Sequence, residues 1–429
     1  MYIKNLITNL FNLEVESIED IEVSNEYGRT FVYITLKKVP SVCPHCGTVT
    51  TLVNDYRTRC INHSILTDRE TELIYHQRRM MCPKCNRSFA EKNPFVATGR
   101  RVSHFTVIHI MEMLRDPRTT FSMVSRATGL SIPTVQRIFD EHAGIRTKPF
   151  PRVLCIDEIY SVKHKQRVYS CVLADFETSS LYDLLPSRHK TDLYSYFSRI
   201  PEKTRNKVRY VSMDMWEPYR DAAGFFFRNA RICVDSFHVI ALISRAFDSI
   251  RKSVMNNFGK GSDEYYLLKK YHWMLYSSYE DMDMSKEVFL YRDTCYRSRG
   301  YIGRRNLLNL LLDLDPLLEI GYVIKEGYLT LNRHATIDDV EVKLNSWLTY
   351  ADASGIPEFM SVVKTIKKWR QEIINSFNRI DGRRISNGPV ESVNSRLDML
   401  KSSANGYSVF ERFRLRALYS LDKASTIKD

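Results

Sequence analysis

The sequence predicts a multidomain α/β protein: a small cysteine-bound β module, a short helical region, and a mixed-sheet core interrupted by an all-α insertion. Three observations carry that reading. Two Cys-x-x-Cys pairs sit near the amino end, apolar residues then recur at spacings of three and four, and short apolar runs follow that end at an acid or a proline. The chain has 429 residues, more than one ordinary core holds, and this length suits about two to four domains.

The first zone is residues 1–99. The stretch from Leu6 to Leu13 is apolar but short, is broken by Thr8, Asn9 and Asn12, and runs into Glu14 and Glu16, so it reads as neither export signal nor membrane anchor. No apolar run approaches the roughly 18 residues of a membrane span, and a cytoplasmic protein is expected. Arg29-Thr-Phe-Val-Tyr-Ile-Thr-Leu36 alternates as a strand does. Cys43-Pro-His-Cys46 and Cys82-Pro-Lys-Cys85 have 35 residues between them. Each places two thiolates on one tight turn, and two such turns complete the tetrahedral shell of a structural Zn²⁺. A closed shell of Cys43, Cys46, Cys82 and Cys85 leaves no position for catalysis, and Cys60, His45 and His63 are read as bystanders.

Residues 100–148 form the second zone. Val107, Ile110, Met111 and Leu114, then Val124, Ala127, Leu130, Val135 and Ile138, recur as on short helices. Residues 121–139 have the pattern of a helix-turn-helix: small Ala127 at the crossing, Gly129 in the turn, Ser131 capping the second helix and Pro133 in its first turn. That helix would present Thr134, Gln136 and Arg137 to a DNA major groove; the plainer alternative is an ordinary helical hairpin. Charge favours the nucleic-acid reading. The formal net charge is +13, and residues 57–148 carry 16 Lys and Arg against 8 Asp and Glu, a field suited to a polyanion. Thr147-Lys-Pro-Phe-Pro151 then breaks the helical pattern.

The core is predicted in two parts, residues 149–245 and 376–429, around a helical insertion at 246–375. Val153-Leu-Cys-Ile156 ends at Asp157, a run from Val168 to Ala174 ends at Asp175, and Ser180 to Leu185 ends at Pro186. After a helical stretch, Val208 to Met213 ends at Asp214, and Ala230 to Val234 ends at Asp235. Three strands, helix, strand, helix, strand is the order of an RNase H-like core, whose first and fourth strands lie side by side. That adjacency brings Asp157 near Asp214. Glu391 supplies a third carboxylate from a helix with an apolar stripe of Val390, Val393, Leu397 and Leu400. Neighbouring carboxylates repel unless divalent cations lie between them, and two such ions can serve phosphodiester chemistry.

Taken in order, the two knuckles, Ile156-Asp-Glu158, Val211-Ser-Met-Asp-Met215 with Tyr219, Val234-Asp-Ser-Phe-His-Val239 and Ser386-Asn-Gly-Pro-Val-Glu-Ser-Val-Asn394 resemble the ISL3 family of bacterial insertion-sequence transposases. The resemblance spans nearly the whole chain from Cys43 to Leu415. It implies a zinc module, a helix-turn-helix and an RNase H-like catalytic domain, with an acidic triad at Asp157, Asp214 and Glu391 holding two Mg²⁺, or Mn²⁺ in their place. The triad's second gap of 177 residues is taken up by the helical insertion. The resemblance also puts His238 beside the catalytic centre; the alternative is a buried histidine bonded to a backbone carbonyl. Ser236 stands where arginine or proline is usual, which leaves Asp235 and His238 untouched. The expected partners are double-stranded DNA, as transposon ends and as target, and a second copy of the chain, at the nucleoid of a bacterial cell. A zinc-containing transcription regulator with a non-catalytic core is the rival, and a plain nuclease that never joins strands is a second.

Overall fold

The computed structural model describes residues 11, 13–64, 70–145, 148–164, 167–422 and 425–428, with the side chains of 162–164 and 167 left aside. Part of the Leu6 to Leu13 stretch, and Thr147 of the proline break, lie outside the described residues. Two compact units form: the described parts of residues 1–147, 162–164 and 395–429 make one, and those of 148–161 and 165–394 make the other.

In the first unit, β1 (Ile18–Glu26) and β2 (Arg29–Leu36) are antiparallel across Tyr27 and Gly28. Both turn residues have positive φ, 49° and 81°, as a two-residue hairpin that follows strand twist requires. Strand β2 also pairs in parallel with β6 (Thr71–Met81), which pairs antiparallel with β5 (Val53–Asn62) and β7 (Ser88–Ala90). The predicted alternation in β2 is realised, with Val32 and Ile34 buried beside Ile61, Leu73, Tyr75 and Phe95. The short hairpin β3 (Ser41–Val42) and β4 (Val49–Thr50) carries the first cysteine pair.

The helices α1 (His104–Met113), α2 (Phe121–Thr128) and α3 (Ile132–His142) follow. Ile110, Met111, Leu114, Val124, Val135, Ile138 and Phe139 make their core, and Tyr419 belongs to it. That tyrosine lies far along the chain, on α16 (Phe410–Leu421). Arg416 on the same helix is 1% exposed and donates to the carbonyls of Leu114, Asp116 and Thr119, in the turn that follows α1. Strand β18 (Thr426–Ile427) then pairs with β8 (Ala143–Gly144). The carboxyl-terminal residues, expected with the catalytic core, thus pack on the helical region.

The second unit is built on a sheet ordered β11 (Ser180–Leu185), β10 (Arg167–Asp175), β9 (Val153–His164), β12 (Tyr210–Met213), β13 (Arg231–Val234). Strands β10 and β11 are antiparallel, whereas β12 lies parallel to both β9 and β13. Helices α4 (Lys190–Ser198) and α6 (Glu217–Phe226) are among those joining its strands. Beyond β13 comes a long helix, α7 (Ser236–Asn257), against which α11 (Pro316–His334) and α13 (Pro357–Lys368) pack. The α7 and α11 axes approach closely at Gly321, where a Cβ would come within 2.9 Å of the Phe247 ring. The expectation of an all-α insertion needs correction, because residues 246–375 include a hairpin of β14 (Glu287–Leu290) and β15 (Gly300–Gly303). Phe289 and Tyr301 face each other across it with ring centroids 5.1 Å apart, and Leu290 and Ile302 are buried. Such cross-strand pairs hold a short ribbon too brief to show as a period in the sequence. Helix α15 (Gly388–Ser403) buries Val390, Val393, Leu397 and Leu400, the stripe expected of it.

Candidate active site

The four knuckle cysteines come together. Cys43 Sγ lies 3.7 Å from Cys85 Sγ, and Cys46 Sγ lies 3.5 Å from Cys82 Sγ. Sulfurs about 2.3 Å from a central Zn²⁺ would be separated by just such edges of a tetrahedron. The two turns repeat one design: the fourth residue beyond the first cysteine closes each with a backbone bond. Gly47 N–H donates to the Cys43 carbonyl and Asn86 N–H to that of Cys82, both at 2.9 Å, and both residues have positive φ. Hydrogen bonds from Thr48 hold the Cys46 thiol down to about 6, and burial pushes Cys85 up to about 12.

In the helical pair, Thr120 caps α2 by accepting from the Met123 N–H, and Gly129 ends it at φ 69°. Ser131 takes the cap position of α3, but its hydroxyl pairs with Thr134 Oγ1 at 2.9 Å and makes no cap bond to the backbone. Of the three residues expected to face a groove, Arg137 is exposed and paired with Glu141 at 3.1 Å, whereas Thr134 and Gln136 are half-buried.

The acids of the second unit are set level by strand register. Ile156 pairs with Met213, and Met213 pairs with Val234, so the residue following each is an aspartate: Asp157, Asp214 and Asp235. Carboxylate oxygens of Asp157, Glu158 and Asp214 lie within 4.8 Å of one another. Burial first, then the charge of Asp214, raises the Asp157 carboxyl to about 7. Glu158 is raised by burial although Arg188 is ion-paired with it, and Tyr219 O–H reaches both its Oε2 and the Asp157 carbonyl at 3.3 Å. Arg188 is itself held between the rings of Tyr169 and Trp216, 4.6 and 5.0 Å from their centroids.

His238, in the first turn of α7, donates from Nε2 to Asp214 Oδ1 at 2.8 Å. Its partner at that nitrogen is a carboxylate of the site. That bond raises its pKa. Asp235, 3% exposed, accepts the backbone N–H of Asn387 at 3.0 Å. The Asn387 Nδ2 donates to the Ile156 carbonyl at 3.1 Å and to Asp214 at 3.4 Å, and Asn394 Nδ2 donates to Asp157 Oδ2 at 2.8 Å. The amide oxygens of Asn387 and Asn394 are buried without a hydrogen-bond partner among the described residues. Crowded carboxylates together with orphaned amide oxygens are the hard donor set that a divalent cation such as Mg²⁺ takes.

Glu391 is exposed and stands outside the close carboxylate group, in which Glu158 is the third member. It nevertheless lies four residues after Asn387, whose carbonyl accepts its N–H at 3.1 Å, and three before Asn394. Those spacings place all three on one face of the α15 start. The two asparagines and Arg188 were not assigned roles from the sequence; the i−4 and i+3 spacing around Glu391 is the signal that could have found the former.

Known proteins agree along the length of the chain. A transposase family profile matches residues 154–417, the helix-turn-helix domain of transposase family ISL3 matches 91–143, and the zinc finger of the IS204/IS1001/IS1096/IS1165 transposases matches 40–85. The transposase for insertion sequence element IS1001 of Bordetella parapertussis is 21% identical over 419 residues, 96% of this chain and 97% of that one. The transposase for IS1557 of Mycobacterium tuberculosis is 24% identical over 314 residues, 68% of this chain and 62% of its own. Among the described residues no helix is long and apolar enough to cross a membrane. With its catalytic stretch, its helix pair and its cysteine module each matched in the same order, the chain belongs to the ISL3 family of insertion-sequence transposases.

Proposed function

We propose that this transposase binds the terminal inverted repeats of its element and cuts and rejoins DNA at Asp157, Asp214 and Glu391 with two Mg²⁺ ions, or Mn²⁺ in their place. The observation that carries the reading is the register that levels Asp157 with Asp214 on adjacent parallel strands, in a sheet whose order suits an RNase H-like core. The ions would activate the attacking oxygen and stabilise the leaving one. The protein's own part is placement. Asn394 and Asn387 hold the two aspartates by their amide N–H groups, leaving the other carboxylate oxygen of each for a cation. Glu391, on the same helix face as those amides, completes the set by a rotamer change. His238 holds a proton at Nε2 against Asp214, and can offer it to a phosphate oxygen where charge develops. Water attacks the phosphodiester at the transposon end, and the freed 3′-hydroxyl then attacks target DNA in line. The zinc module and α3 select the ends, Thr134, Gln136 and Arg137 facing the groove, and two copies of the chain hold two ends together at the bacterial nucleoid.

Asp157→Asn, Asp214→Asn and Glu391→Gln preserve shape and remove ligand charge. Each is expected to abolish Mg²⁺-dependent cleavage and strand transfer on end-containing duplexes while leaving end binding unchanged. If Glu391→Gln cleaves at the wild-type rate and Glu158→Gln does not, the third ligand is Glu158. If wild-type protein binds ends and never cleaves, the chain is a DNA-binding regulator.

A further inference from the structure

The helix expected to read DNA does not stand alone. Arg412, in the first turn of α16, donates from Nη1 to Gln136 Oε1 at 3.2 Å, and from Nε and Nη2 to the two oxygens of Asp140 at 3.4 and 2.7 Å. Gln136 and Asp140 are one turn apart on α3. Arg412 is 276 residues from Gln136 in sequence yet fixed in space, because Arg416 one turn further on is buried against three carbonyls of the helical region. The contact opens on a groove lined by Thr120, Met123, Arg126, Ile132, Tyr407 and Arg412.

We propose that Arg412 sets the base preference of the transposase by making Gln136 a reader of guanine. This rests on the reading that α3 enters the major groove. A guanidinium has five N–H donors and no acceptor, so the atom facing it must be the amide oxygen, and the Nε2 of Gln136 is turned the other way. An unconstrained glutamine reads adenine by accepting from N6 and donating to N7 at once. Here the oxygen is already bonded to a cation, which competes with the adenine amino group and repels it. What remains beside the groove is a surface of donors, the Gln136 amide N–H₂ and the spare Arg412 N–H. Guanine presents two adjacent acceptors, N7 and O6, in the major groove. Asp140 serves this arrangement by holding the guanidinium in its plane, and Arg412 in turn neutralises an acid that would otherwise face phosphates.

The test is base preference. Full-length protein selects from a pool of random-sequence duplexes, and bound sequences are compared for wild type, Gln136→Ala, Arg412→Ala, Arg412→Gln and Arg412→Lys. Wild type is expected to favour guanine over adenine about tenfold at one position, and Gln136→Ala to erase preference there. Arg412→Ala and Arg412→Gln should shift that same position toward adenine by about tenfold, other positions being unchanged, while Arg412→Lys, which keeps a donor, should retain guanine. Arg412→Gln carries the test if the alanine variant melts early. Adenine at the Gln136 position in wild type overturns the proposal, as does a uniform loss of affinity in the Arg412 variants. If Gln136→Ala alters no position, it is the groove reading of α3 that fails. If it erases one position that Arg412→Gln leaves as guanine, the groove reading stands and Arg412 has no part in specificity.

Discussion

Asp157→Asn is expected to make the metal-free protein more stable while removing its activity. The Asp157 carboxyl ordinarily titrates at 3.8 and is raised to about 7 by burial and by Asp214. With the folded value above the unfolded one, the group holds its proton in the native state when the unfolded chain has already lost it, and native ionisation is unfavourable. The penalty is absent below the unfolded value, grows as pH rises between the two, and is complete above about 7. Over that interval it amounts to about 4 kcal/mol at pH 8 and about 1.5 kcal/mol near pH 5. An asparagine carries no such penalty and keeps a partner for the Asn394 amide. For a unit of this size about 4 kcal/mol corresponds to a rise in melting temperature on the order of 10 °C. Melting is followed by calorimetry with chelator at pH 8 and pH 5 for wild type and variant. The variant should melt well above wild type at pH 8, the gap should narrow at pH 5, and Mg²⁺ should raise the wild-type transition at pH 8 and not the variant's. An unchanged or lower transition for the variant at pH 8 would refute the argument that the aspartates are held against their own repulsion.

Two further outcomes are expected. Removing the zinc ligand Cys43 or Cys82 by substitution with serine should strip one equivalent of zinc from the purified protein, as read by elemental analysis, and weaken end binding, since a small module depends on its metal for folding free energy; normal zinc content and binding in the double variant would end that assignment. His238→Ala should slow cleavage by roughly tenfold to a thousandfold with end binding and melting temperature little altered, and a loss that merely follows the folded fraction would make it a structural residue.

Local chemistry was readable from the chain alone. The cysteine pairs declare themselves because a metal knuckle is made within four residues, and the alternation of β2 and the stripe of α15 because strand and helix periods are short-range. Asp214 was legible as a strand end, and the family resemblance ordered it with Asp157. Asp157, expected at the end of the run that closes at Ile156, lies instead within β9, which continues to His164 because the polar residues after it still pair in the sheet. The hairpin of β14 and β15 was not legible, because four residues cannot establish a period. Nor could spacing show that Asp235 bonds the Asn387 backbone, or that a carboxylate oxygen of Glu158 lies within 4.8 Å of those of the two aspartates.

Those roles depend on strand register and on contacts between residues far apart in sequence. Composition and spacing determined a basic surplus over residues 57–148, two cysteine pairs suited to a metal and acids that follow short apolar runs. The tertiary structure alone decided that Asn394 bonds Asp157 across 237 residues and that Arg416 seats the carboxyl-terminal helix on the helical region. The physical reason is that a hydrogen bond is specified by the position of two groups in space, and sequence periodicity reports only which face of its own element a residue occupies.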